Sequence, residues 1–333
     1  MELQFSFIIP VYNRPEEIKE LLSSMLLLKG AHDFEVVVVE DGSSIPCKGV
    51  VDAYNDRLNI AYYFKPNSGP GDSRNYAMQK ARGNYFIILD SDCILPDNYL
   101  ISVKESLAQQ YTDCFGGPDA AHESFSSIQK AINYSMTSWL TTGGIRGKKG
   151  GVDKFQPRSF NMGLSKKAFL ATGGFGKIHP GEDPDLTLRL WSAGFETKLI
   201  AEAFVYHKRR ISWEKFYMQV NKFGMTRPIL NLWHPESRKI TYWFPSLFVF
   251  GFFIAILFWC AGYNWILGCY GLYALLVFID ALRNTRSIHL AFLSVYASAI
   301  QFLGYGLGFA KSTFLTTFSK KKPEVLFPNL FFK

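Results

Sequence analysis

Short apolar runs at residues 5–9, 35–39, 60–64 and 85–89 are rich in β-branched and aromatic residues and bounded by polar ones. Such runs predict buried strands. The stretches between them read as helices. Pro15 followed by Glu16 and Glu17 is a helix start, with acids on the positive end of its dipole, and Leu21, Leu22, Met25 and Leu26 carry it towards Gly30. A second helix spans about 71–81 and stops at Gly83. Strand and helix in alternation predict a mostly parallel sheet with helices on both faces. In such sheets ligands sit outside the carboxyl ends of the strands, so chemistry is expected at the strand tails.

Three tails are polar or acidic: "PVYNRPEE", "VVVVEDGSS" with Glu40 and Asp41 at its tip, and "LDSDC". Residues i and i+2 of an extended strand point the same way, so Asp90 and Asp92 share a side. Two carboxylates that close repel unless something positive joins them. Hard divalent cations with oxygen ligands are the usual partner. Further on, "HPGEDPDLTLRLWSAGF" at 179–195 predicts a helix with Glu182, Asp183 and Asp185 at its start. The middle region, 111–180, is less regular. Its glycine- and lysine-rich "TTGGIRGKKGG" at 141–151 has the composition of a loop that covers a site.

The pattern then changes. From 240 to 279 there is no Lys, Arg, Asp or Glu. Forty helical residues would be about 60 Å long, roughly two bilayer crossings. A second uncharged stretch covers 288–310. Spans are expected at about 243–261, 265–282 and 289–310. Residues 208–239 carry eight Lys/Arg against Glu214 and Glu236, and the net charge is +8. A basic flank beside an apolar block marks the cytoplasmic face and contact with membrane lipids, not nucleic acid. Three crossings would place Lys320, Lys321 and Lys322 outside, against that rule. Within 211–223, Trp213, Phe216, Tyr217, Val220 and Phe223 alternate with polar residues as in an interfacial helix. Five cysteines show neither metal spacing nor a disulfide framework. The first residues show neither the basic region nor the cleavage site of a signal peptide, so none is expected. The expected organisation is a cytoplasmic catalytic domain at 1–210, a basic juxtamembrane segment at 211–239, a membrane domain at 240–318 and a basic tail at 319–333. That is a multi-pass protein of the inner cell membrane.

Five motifs in order, "FIIPVYNRPEEIKELLSSM", "VVVVEDGSS", "SGPGDSRNYAMQKARGNYFIILDSDCILP", "GEDPDLTLRLWSAGF" and "VYHKRR", resemble the family 2 glycosyltransferases over about residues 4–210. The resemblance implies the GT-A fold, a mostly parallel α/β sheet flanked by helices that binds a nucleotide-diphospho-sugar. It implies that Asp41 hydrogen-bonds the base in a pocket lined by Pro10 and Tyr12. Asp90 and Asp92 look like the DxD pair, the first touching ribose and the second holding Mn2+ or Mg2+ on the diphosphate. Asp183 looks like the general base, with Glu182 as the alternative, and His207 like a further metal ligand. Glu40 departs mildly from the family, which often has Asp there.

The chemistry fits those residue types. A nucleoside diphosphate leaves with growing negative charge, which a divalent cation neutralises. The acceptor hydroxyl needs a separate base to take its proton. The resemblance therefore implies an inverting transferase, with a UDP-sugar favoured as donor and a saccharide or lipid-linked acceptor at the membrane face. The polymerases of the family carry a Q-x-x-R-W element; here Gln219 is followed by Lys222 and Phe223, so one sugar per encounter is expected. Two other readings compete. A nucleotidyl- or phosphotransferase on a similar sheet would release pyrophosphate, and no P-loop motif is present. A non-enzymatic membrane scaffold would tolerate Asp92→Asn.

Overall fold

The structure, a computed structural model, describes residues 2–30, 33–120, 125–142, 154–208 and 212–332. Most of the expected covering loop at 141–151, and Arg209 and Arg210 of the basic cluster, lie outside the described residues. In chain order the strands are β1 (Phe5–Val11), β2 (Phe34–Asp41), β3 (Ile60–Lys65), β4 (Tyr85–Leu89), β5 (Cys93–Ile94), β6 (Cys114–Gly116), β7 (Asp119–Ala120), β8 (Asn161–Ser165), β9 (Thr197–Leu199) and β10 (Val205–His207). The helices are α1 (Pro15–Leu26), α2 (Lys48–Asp52), α3 (Pro70–Lys80), α4 (Tyr99–Gln109), α5 (Ser127–Thr137), α6 (Trp139–Thr142), α7 (Lys166–Thr172), α8 (Glu182–Ser192), α9 (Trp213–Trp233), α10 (Phe244–Cys260), α11 (Trp265–Thr285), α12 (Ile288–Phe318) and α13 (Pro323–Leu326). The chain divides into two compact units. The first lies within Met1–His122, Gly147–Lys208 and Phe331–Lys333, the second within Glu123–Arg146 and Arg209–Leu330.

The first unit is built on a sheet of order β3-β2-β1-β4-β8-β6-β9. β3, β2, β1 and β4 run parallel, and β8 is antiparallel to both β4 and β6. The strands alternate between two cores, as a side-chain period of two requires. Phe7, Ile9, Val36, Val38, Ile87 and Leu89 join Ile18, Leu21 and Leu22 of α1 and Leu100 and Val103 of α4. Ile8, Val37, Val39, Phe86 and Ile88 face Ala77 and Met78 of α3, Ala168 of α7 and Leu186 and Leu190 of α8. Each such buried side chain contributes roughly 1.5–3 kcal/mol. The strand order reverses between β1 and β4, so the crevice at their carboxyl ends is the expected ligand site.

β2 runs two residues further than its apolar run, because its last residues still pair with β3, Glu40 with Phe64 and Asp41 with Lys65. A second, three-stranded sheet of order β5-β10-β7 sits beyond β4. In its register His207 pairs with Cys93, the residue after Asp92.

The second unit is helical. Sequence alone puts 1–210 in one domain, whereas α5 and α6 cluster with the later helices. The cause is the apolar face of α5. Ala131, Ile132 and Met136 pack with Phe216 and Val220 of α9 and Ala297 of α12. Tyr134 Oη also donates to Asp280 of α11 at 2.6 Å. The helix expected at 211–223 extends to Trp233 and tolerates Pro228 in its interior. Three helical stretches are long and apolar enough to cross a membrane: Ile240–Cys260, Trp265–Thr285 and Ile288–Phe318. The basic tail also divides, since residues 331 and 332 belong to the first unit.

Candidate active site

The tails of β1, β2 and β4 converge through short loops. Asn13, with φ of 54°, donates its N–H to Ser43 Oγ at 2.7 Å, and its side-chain oxygen accepts from Ile45 N–H at 3.0 Å. This ties the β1 tail to the loop after β2. Pro10 is buried in β1 opposite Val39, while the Tyr12 ring is 52% exposed beside it. Glu40 is fully buried and holds the same loop by accepting from Cys47 N–H at 2.6 Å and from Ser43 Oγ.

Asp41 is buried on the other face of β2. Its Oδ1 accepts from Lys65 Nζ at 2.7 Å and Ser68 N–H at 2.9 Å. Its Oδ2 accepts from Gly69 N–H at 2.9 Å and Asn67 Nδ2 at 3.3 Å. A carboxylate has about four acceptor positions, and here all are taken by the β3–α3 turn. For Asp41 to meet a base as expected, one of these contacts has to give way.

Asp90 and Asp92 lie where the carboxyl end of β4 was expected to put them, and cations of the chain surround them. Arg74, on α3 and 3% exposed at its side chain, donates to Asp90 Oδ1 at 2.6 Å and to Glu182 Oε1 at 3.1 Å. Burial works against its charge, and Asp90 and Glu182 more than offset that. Arg14, at the foot of α1, donates to Asp92 Oδ2. His207 Nε2 stands 3.3 Å from Asp92 Oδ1 and 3.9 Å from Asp90 Oδ2. Burial would raise the Asp92 pKa, but His207 and Arg14 overcome it and hold the group well below the usual carboxylate range. The imidazole stacks on Phe160 at 4.7 Å, and its Nδ1 faces Asp119 Oδ2 at 3.9 Å, which steadies the ring.

The residues fit a divalent cation. Asp92 Oδ1 is buried and faces only His207 Nε2, at 3.3 Å and off hydrogen-bond geometry, among the described residues. A carboxylate oxygen, an imidazole nitrogen and a second carboxylate edge form a donor set suited to Mn2+ or Mg2+. Cys93 lies within the same cluster. Burial first, then Asp92 and Asp90, push its thiol well above its ordinary pKa, and sulfur is a soft donor poorly matched to a hard ion.

Glu182 and Asp183 begin α8. Glu182 is held by Arg74 and by His179 Nδ1 at 3.0 Å. Burial opposes its charge, yet His179 and Arg74 keep its pKa below the ordinary range. Asp183 is different. Burial raises its pKa, and Arg158, whose Nη1 lies 3.7 Å from Oδ2, offsets this only in part. The site therefore holds one carboxylate fixed as an anion and, next to it, one with greater basicity.

The chain thus brings together Asp90, Asp92 and His207, with Glu182 joined to them through Arg74. Arg14, Lys65, Asp119, Arg158 and His179 were not singled out from sequence. Arg14 and His179 had a signal in hindsight, each standing one residue from a proline beside a motif.

Residues 6–170 match the family model described as glycosyl transferase family 2. The chain is 33% identical over 114 residues to the poly(ribitol-phosphate) beta-N-acetylglucosaminyltransferase TarS of Staphylococcus aureus, a match covering 33% of this chain and 20% of that protein. It is 25% identical over 235 residues to the chondroitin synthase of Escherichia coli, covering 61% of this chain and 34% of the relative. The chain therefore spans between 20% and 34% of the length of these two relatives. Among solved structures it resembles the mannosyltransferase PcManGT of Pyrobaculum calidifontis in complex with GDP-Man and Mn2+. The TM-score is 0.61 and the identity 15%, covering 91% of this chain and 88% of that one. At that identity the likeness carries the fold alone.

Proposed function

Because the chain belongs to glycosyl transferase family 2, we propose that it is a membrane-attached inverting glycosyltransferase. It moves one sugar from a nucleotide-diphospho-sugar to an acceptor hydroxyl at the cytoplasmic membrane face, with a saccharide or lipid-linked saccharide as acceptor. One observation carries the reading: Arg74 bonds both Asp90 and Glu182, linking a cation-binding cluster to the carboxylate pair at the start of α8. Asp92, His207 and Asp90 would hold the divalent cation, Mn2+ or Mg2+. When bound, it supplies positive charge against the departing diphosphate.

The other roles follow from the chain's own side chains. The exposed Tyr12 ring would offer a face to the base, with Pro10 and Asp41 as the other residues of that pocket. Asp183 accepts the proton of the acceptor hydroxyl as that oxygen forms its bond to the sugar carbon. The bond from that carbon to the diphosphate oxygen breaks in the same displacement, and the nucleoside diphosphate leaves. Glu182, locked in its ion pairs, is too weakly basic for the task, and its role is to hold Arg74 and the start of α8. UDP is the favoured carrier, and GDP belongs in the test because the Pyrobaculum mannosyltransferase is complexed with GDP-Man.

The test is a thermal-shift titration of the detergent-solubilised full chain with UDP, GDP, CMP and dTDP, each with and without Mn2+. A ligand that binds only the folded state raises apparent stability by mass action, about 2.7 kcal/mol at a hundred times Kd. One nucleoside diphosphate is expected to stabilise the wild type only with metal, and Asp92→Asn to abolish the shift. A folded sample that responds to no nucleotide would overturn the reading.

A further inference from the structure

Phe332 lies on the first unit, far in sequence from every motif of the site, and touches both of its sides. Its ring covers Gly69 so closely that a Cβ at that position, where φ is +93°, would overlap it. Gly69 is the residue whose N–H bonds Asp41. On its other side the ring meets the imidazole of His179 at 5.7 Å between centroids. His179 in turn bonds Glu182 at 3.0 Å. The contact is anchored through the backbone: Phe332 N–H donates to Lys177 O at 3.1 Å, and Phe331 forms an antiparallel bridge with Ile178. Phe332, Lys177, Ile178 and His179 line a cavity of about 350 Å3 together with Ser68, Asp72 and Asn75.

Two chains of contact therefore meet at one side chain. One passes from Phe332 through Gly69 to Asp41. The other passes from Phe332 through His179 and Glu182 to Arg74 and Asp90. We infer that Phe332 is a positioning residue: it clamps the turn at 67–69 against the segment at 177–179 that leads into α8, holding the nucleotide side of the site in register with the base side. The assignment rests on the glycosyltransferase reading for its kinetic consequence, but not for its structural one. The half-buried aromatic ring between two loops gives such a clamp its strength.

The experiment uses the full chain in detergent and compares wild type, Phe332→Ala, Phe332→Tyr and the distant control Lys320→Ala. Amide hydrogen exchange is read at Ser68, Gly69 and 177–181, and kcat and donor KM are read with the nucleotide-sugar whose nucleotide stabilises the wild type. Phe332→Ala is expected to raise exchange at both segments at least tenfold and to lower kcat at least tenfold. Melting temperature should stay close to wild type, and Phe332→Tyr should restore both readouts. Unchanged exchange in Phe332→Ala would overturn the inference, as would faster exchange across the whole first unit, which would mark a general packing role. If the wild type turns over no donor, the functional reading fails, and the exchange data still decide whether the clamp exists.

Discussion

Glu182 and Asp183 are neighbours in the chain whose pKa values are shifted in opposite directions, and the difference supports the division of tasks proposed for them. The Asp183 pKa is raised by burial, so its basic form is lost, as pH falls, at a higher pH than an ordinary aspartate with its pKa of about 3.9. Turnover that depends on Asp183 as base should decline on acidification from above that range. Asp183→Asn should lower kcat by roughly 10²–10⁴-fold and leave nucleotide binding intact. Glu182 has the reverse sign: its folded pKa is depressed. Its stabilising contribution is complete above the unfolded value of about 4.3 and disappears as pH falls through the lower folded value. Glu182→Gln leaves Arg74 short of a partner while 3% exposed. It should destabilise the first unit by about 3–5 kcal/mol, the range for breaking a buried pair. Denaturant melts of the two variants, with pH–rate profiles, check the assignment. A larger loss of kcat in Glu182→Gln at preserved stability would exchange the two roles.

Elements differ in how much of this was legible beforehand. β4 and its acids announce themselves, because an apolar run ending in Asp-x-Asp is visible in period and in chemistry. The start of α8 is equally plain. His207 could be proposed from resemblance, but its closeness to Asp92 comes from a pairing of two- and three-residue strands, too short to leave any periodicity. Arg14, Lys65 and His179 gain their acidic partners only through the fold. The glycines of α12 let two helices approach closely, and the structure supplies the partners. Gly304 meets Val220 and Tyr217 O, Gly308 meets Asn221 O, and Gly224 of α9 meets Tyr305 O. Asn221 Nδ2 also donates to Gly304 O at 2.9 Å. A side chain at Gly224 would push the two backbones apart, and overpacking of that kind costs about 1–3 kcal/mol. Gly224→Leu should lower the melting temperature of the detergent-solubilised chain by several degrees. Gly271→Ala on α11, where a Cβ meets nothing within 4 Å, should leave it unchanged or slightly raised. Equal effects at the two sites would show that the glycine seam contributes nothing.

At the scale of the whole chain, the path through the membrane is constrained by where residues 331 and 332 are found. The chain leaves the first unit at Lys208 and has rejoined it by Phe331. An odd number of complete crossings would leave it on the opposite face. Between α12 and residue 331 the chain is folded into α13 and the 3-10 turn Pro328–Leu330, and Lys320, Lys321 and Lys322 precede them. That segment is too compact and too charged for a further crossing. α9 carries Glu214, Lys215, Lys222 and Arg227 and is no span either. The number of crossings is therefore expected to be even. The hairpin of α10 and α11 is then the pair expected to cross, with Arg238 and Lys239 before it and Arg283 and Arg286 after it on one basic face. α12, about 46 Å long as a 31-residue helix, has 39% of its most apolar window buried within the protein, against 17% and 11% for the other two candidates. It needs less lipid around its circumference than they do, and on an even path it is the candidate expected not to complete a crossing. On such a path the segment expected at 289–310 would not span, and the conflict over the three lysines would not arise. Single cysteines at Asn264 and Lys320, in a chain with Cys260 and Cys269 replaced by Ser, test the path with a membrane-impermeant maleimide on intact cells. Asn264→Cys should react from outside, and Lys320→Cys only after permeabilisation. Labelling of Lys320→Cys in intact cells would establish three crossings and would require residues 331 and 332 to detach from the first unit in the membrane.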